Sequence, residues 1–110
     1  MIEKEVLDYL NNVLDVPVYM EKPEKEPTEY VLIEKTGSSG ENLIYSATFA
    51  LQSYADSLYL AAELNEKVKK AMDDIIVLDT ISDSKLNTDY NFTDTTKKKY
   101  RYQAVYDLWF

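Results

Sequence analysis

The stretch YVLIEKTGSSGENLIYSATFALQSYADSLYLAAELNEKVKKAM, Tyr30 to Met72, decides the fold. Tyr30 to Lys35 is rich in β-branched and aromatic residues, and Thr36-Gly37-Ser38-Ser39-Gly40 has the composition of a turn that ends it. From Leu43 to Tyr54 the odd positions Leu43, Tyr45, Ala47, Phe49 and Leu51 are apolar, while Ser46, Thr48 and Gln52 share the other face. Successive strand side chains point to opposite faces, so this alternation predicts a strand with one face turned to a core. A helix follows. Asp56 or Ser57 can cap it, and Leu58, Ala61, Leu64 or Asn65, Val68, Ala71, Met72 and Ile75 recur at helical spacing along one side. Glu63, Glu66, Lys67, Lys69 and Lys70 take the wet side.

Outward from this unit, Ile2, Val6, Tyr9, Leu10, Val13 and Leu14 step by three and four, predicting an amphipathic helix over Ile2 to Leu14. The run VPVYM looks extended, and Pro17 confines it to an edge or a strand start because proline lacks an N–H for a ladder. EKPEKEPTE reads as an exposed loop. Ile81 to Phe92 mixes strand formers with Asp, Asn and Ser and predicts a half-exposed strand. Tyr100, Tyr102, Ala104, Tyr106 and Leu108 alternate with Arg101, Gln103, Val105 and Asp107, a last strand that closes an antiparallel sheet. The expectation is a single α+β domain over residues 1–110: a mostly antiparallel sheet packed by an N-terminal helix and a central amphipathic helix.

Composition narrows the function. There is no His and no Cys among 110 residues, which removes the side chains behind most nucleophilic, proton-shuttling and transition-metal chemistry at neutral pH. Twenty acidic against twelve basic residues give a net charge of −8, a poor surface for phosphate backbones, so no specific nucleic-acid sequence is expected as partner. No apolar run approaches the roughly 20 residues of a membrane span, and the charged start MIEKEVLDYL is unlike a signal peptide. A cytoplasmic protein without membrane attachment is expected.

Short chemical motifs do not hold together. Ser82-Asp83-Ser84-Lys85 and Lys35-Thr36-Gly37 fit two signatures of serine enzymes that open β-lactam rings, but in reversed order and on a chain too short for such an enzyme. Gly37-Ser38-Ser39-Gly40 lacks the lysine and following helix of a phosphate loop. Asp89, Asn91 and Asp94 offer oxygens to a hard cation without the central Gly and terminal Glu of an EF-hand. Lys97, Lys98, Lys99 and Arg101 form the one basic cluster, yet on a strand Arg101 points away from Tyr100 and Tyr102, so no stacking and phosphate-binding face results. Neither a catalytic residue nor a metal or cofactor ligand is assigned. Ten Tyr supply rings with polar tips, suited to a core or to a protein interface.

With these residues in view, the Tyr30 to Met72 stretch and KLNTDYNFTDTTKKKYRYQAVYDL resemble the tail-terminator, or tail-completion, proteins of long-tailed bacteriophages and prophages. The resemblance spans roughly two thirds of the chain and lies in the order of elements and in EKTGSS, ATFALQSYA and YRYQAVYDL. It implies a small α+β subunit without an active site that forms a homo-oligomeric ring, six-membered by the family pattern. Its implied partners are the tail-tube protein on one side and a head-connector protein on the other. It also implies assembly in the host bacterial cytoplasm before incorporation at the neck of the virion. The rival readings are a head-connector adaptor, a small-ligand or regulatory binding domain, and an enzyme relying on carboxylates and Tyr alone. Thr36 to Asn42 and Thr93 to Lys99 are expected to be loops that become ordered at subunit or tail contacts. The candidate interface residues are Gly37, Ser38, Ser39, Gly40, Glu41, Thr95, Lys97, Lys98 and Lys99.

Overall fold

The computed structural model describes residues 1–41, 43–97 and 99–110. The N-terminal helix α1 spans Ile2–Val13 and is followed by a two-residue strand β1, Val18–Tyr19. Strands β2, Tyr30–Glu41, and β3, Ile44–Ala55, form a long hairpin. Helix α2 covers Leu58–Asp73 and runs into a 3-10 turn at Asp74–Val77 before β4, Asp83–Asn91, and β5, Tyr100–Trp109. Among the described residues the strands make one five-stranded sheet in the order β1-β2-β3-β5-β4, antiparallel except for the β1–β2 pair. The expected α+β architecture is what forms.

The alternation of β3 and β5 sets the core. Ala47, Phe49 and Leu51 lie opposite Leu108, Tyr106 and Ala104 and are all buried. Across β2, Ile33 pairs with Leu51 and Val31 with Ser53, extending the same apolar surface. Both helices pack on this side, α1 through Ile2, Val6 and Leu10 and α2 through Leu64, Val68 and Met72, with Ile75 and Ile81 sealing the end. Ser57 caps α2 by accepting from the Leu60 N–H at 3.1 Å. Leu58, expected on the apolar side, is 40% exposed at the first position of α2, just beyond the end of β3.

Several polar groups at the core are tied to the helices, although the Ser53 hydroxyl and the Asn65 side-chain carbonyl are buried without a protein partner among the described residues. The Tyr106 hydroxyl donates to Asp73 at 2.7 Å beside the Lys69 carbonyl at 3.0 Å. The Tyr9 hydroxyl donates to the Ala71 carbonyl at 2.7 Å, joining α1 to α2. The Asn11 side chain bonds both the N–H and the carbonyl of Val18, which docks β1 as an edge strand. Pro17 sits just before it, its carbonyl accepting from the Val31 N–H, so the proline ring interrupts no ladder.

The expected turn after Lys35 is overturned. Thr36 to Gly40 is not a turn: β2 continues to Glu41, paired with β3 through Gly37–Thr48, Ser38–Ala47, Ser39–Ser46, Gly40–Tyr45 and Glu41–Ile44. A bulge between Lys35 and Gly37 absorbs one residue, and no glycine has a positive φ. Glycine and serine are turn formers by composition, but both adopt extended backbone when a neighbouring strand offers hydrogen bonds. The reversal falls instead between Glu41 and Ile44, where Leu43 takes the left-handed φ of 68°. Leu43 and Tyr45, expected to face inward, are exposed, since the hairpin runs past the end of the helical layer. The molecule is accordingly elongated, 46 × 24 × 24 Å.

Candidate protein interface

The outer half of the hairpin is built to stand alone. From Glu34 onward every described residue of β2 is exposed, because β1 covers only Val31 and Leu32. The Ser39 and Ser46 hydroxyls bond across the hairpin at 2.8 Å. Tyr45 lays its ring over Gly40 so closely that a Cβ there would meet the ring carbons at 2.6 and 2.7 Å, an aromatic cover for a strand glycine. Tyr45 also stacks on Phe110 at 6.3 Å, and the Phe110 N–H donates to the Tyr45 carbonyl. The arm thus presents a tip on which Leu43 is 88%, Ile44 64% and Tyr45 49% exposed.

Two features of that tip work against the subunit in isolation. Exposed leucine and isoleucine gain nothing from water. A left-handed backbone at a residue carrying a side chain costs about 1–2 kcal/mol, which glycine would avoid. Apolar bulk kept at a strained, solvent-facing reversal points to contact with something else.

The second group of candidate residues lies at the far end of the sheet. Ser46 pairs with Trp109 whereas Ala55 pairs with Tyr100, so the segment before β5 is removed from the hairpin tip by the length of β3, roughly 35–40 Å at about 3.4 Å per residue. The structure therefore does not bring Gly37–Glu41 and Thr95–Lys99 together; they mark opposite ends of one molecule. Thr95 and Lys97 are exposed, and Lys98 lies outside the described residues. Lys99 is occupied internally, donating to the Thr28 carbonyl at 2.7 Å and to Asp56 at 3.0 Å, so it straps the 20–29 segment to the sheet. Asp94 and Thr96 close their own small turn, and the hydrogen bonds from Thr96 hold the Asp94 carboxyl below its usual range.

The face of the sheet away from the helices carries an ordered polar network. Arg101 donates to the Tyr54 hydroxyl, Tyr54 to Gln52, Gln52 to Gln103, and Gln103 to Tyr90, at 2.6–3.0 Å. The Arg101 guanidinium lies 4.5 Å from the Phe92 ring centre and 5.7 Å from that of Tyr54, which stacks on Tyr30 at 4.5 Å. Burial, and then the hydrogen bond to Glu26, push the Tyr30 phenol above its ordinary range. These groups hydrogen-bond in a chain across β3, β5 and β4.

The oxygens of Asp89, Asn91 and Asp94 each accept from protein donors. Asp89 accepts from Asn65 at 2.9 Å and Lys69 at 3.0 Å, and that contact, with Glu66, raises the Lys69 pKa. Asn91 accepts from Thr93. Among the described residues no group of three or more acidic side chains is placed to hold a metal ion. No described helix is long and apolar enough to cross a membrane.

A groove lies on the helical side that no local sequence pattern marks. Tyr9, Val13 and Leu14 of α1 and its exit face Ala71 of α2, leaving an open trough of about 470 Å³ with Asp15 and Asp74 on its rim and Lys67 and Lys70 beside them. It continues over Ile76 and Val77, which are 55% and 73% exposed. The helical spacing of α1 puts Val13 on the apolar stripe, and Ile76-Val77 lie between the predicted elements. Leu43-Ile44-Tyr45 was read as strand interior, although three apolar residues in a row break the period of two and mark the place where alternation stops. No protein-family model matches the chain, and a search of the curated proteins finds no match.

Proposed function

We propose that this chain is a structural subunit that closes into a ring at the head-proximal end of a phage tail, ending growth of the tail tube and offering the surface on which the head is joined. The observation that carries the reading is the hairpin arm with its uncovered apolar tip. It sits at one end of an elongated subunit whose other exposed candidate loop lies at the opposite end. Different surfaces at different places on one subunit favour a head-to-tail contact, and a head-to-tail contact whose rotation closes generates a ring. The mostly antiparallel α+β scaffold and the absence of His and Cys from the chain agree with a protein that works by contact and not by chemistry. The charge of −8 has a use in this reading: carboxylates lining a central passage keep it from adhering to DNA.

Native mass spectrometry of the purified chain, alone and mixed with tail tubes, tests the ring directly. The expected species is a closed oligomer, six-membered by the family pattern. Deleting the gene from the phage or prophage that carries it should leave filled heads separated from tails of abnormal length. Unjoined heads with tails of normal length would favour the head-connector adaptor instead, and joined particles of normal length would overturn both.

A further inference from the structure

We infer that the contact between neighbouring subunits is made by the hairpin tip of one copy seated in the α1–α2 groove of the next, an assignment that rests on the ring reading and gives it a specific joint. The two surfaces are complementary in chemistry. The tip offers Leu43 and Ile44, and the groove offers Val13, Leu14, Ile76 and Val77. Contiguous exposed apolar surface of this kind marks interaction sites, and pairing these patches removes both from water in one contact.

Charge orients the joint. Glu41, beside the tip, has no ion-pair partner among the described residues, and the same holds for Lys67 on the groove wall. Lys70, in contrast, is 3.8 Å from Asp74. Seating the tip with Glu41 toward Lys67 pairs two otherwise unmatched charges. The strained left-handed Leu43 acquires a reason, since its side chain is the anchor that glycine would lack. Tip and groove lie on different parts of the subunit, so each copy both gives and receives, which is the heterologous contact a ring requires.

The natural absence of cysteine makes the test clean. Leu43→Cys subunits are mixed with Val77→Cys subunits under mild oxidation, with tail tubes present if the ring forms only there. A disulfide-linked dimer is expected. Leu43→Cys mixed with Tyr59→Cys, equally exposed on the first turns of α2, should give none. Equal linking to both positions, or none to Val77→Cys, overturns the joint. In a second arm, Glu41→Lys should raise the concentration needed for assembly by at least about fivefold, the order of a surface ion pair lost and made repulsive. Lys67→Glu in the same chain should restore it; a double variant no better than the single one counts against the pairing. Wild-type rings that persist while both arms fail would sink the joint and leave the ring standing, whereas a wild-type chain that stays monomeric even on tail tubes would sink both.

Discussion

Phe49 shows how one residue commits the chain. It is fully buried where β3 and β5 meet the helices, so Phe49→Ala opens a cavity among side chains that cannot all close in, at an expected cost of about 3–5 kcal/mol. A urea midpoint unchanged by that substitution would mean that the core face has been misassigned. Tyr106 makes a different commitment. Burial first, and the hydrogen bond to Asp73 second, raise its pKa in the folded chain above that of an unfolded tyrosine. The folded state therefore keeps a proton that the unfolded state gives up near pH 10. The corresponding stability is fully present below about pH 10 and is lost as pH rises from there toward the folded value. Urea midpoints measured from pH 8 to 12 should fall above about pH 10, and less steeply in Tyr106→Phe. Identical slopes would show that the phenol is not held in this way.

The hairpin arm is where residue choice and element geometry part company. Gly37 and Gly40 sit in the same strand with ordinary extended backbone, yet their surroundings differ. A Cβ on Gly37 meets nothing within 4 Å, so Gly37→Ala should stabilise the chain by about 0.4–1 kcal/mol by restricting the unfolded state. At Gly40 a Cβ would strike the Tyr45 ring and displace its cover, so Gly40→Ala should bring no such gain. Thermal melts of the two variants check the contrast, and equal shifts would dismiss the Tyr45–Gly40 packing. The helices are simpler elements. α2 is specified by its Ser57 cap and its apolar side, and α1 by its stripe and its bonds through Tyr9 and Asn11.

At the scale of the molecule, the sheet core and the arm should differ in exchange behaviour. Amides of β3 and β5 between Phe49 and Gln103 lie under the helices, whereas the ladder beyond Ala47 is open to water on both faces. Hydrogen exchange should be slow in the first region and faster from Gly37 to Tyr45 in the free subunit, with protection of the arm increasing on assembly. Unchanged protection of the arm in an assembled ring would remove it from the interface.

What the sequence by itself determined is periodic: the two amphipathic helices, the inward set Ala47, Phe49 and Leu51, and the alternating last strand, with Pro17 restricting its segment to an edge or a strand start. Periodicity is legible because a side chain's direction follows from its place in a helix or strand, whatever lies across from it. Tertiary structure alone decided that Gly37-Ser38-Ser39-Gly40 is strand and that the chain turns at Leu43, because pairing partners, unlike local preferences, supply the hydrogen bonds that hold an arm extended. It also decided that Lys99 is spent as an internal strap, that the two candidate loop groups lie at opposite ends, and that Val13 comes alongside Ile76 and Val77 to make a groove. Those facts depend on where the helical layer stops along the sheet, and exposure beyond that edge is a property of the packed whole that no local pattern encodes.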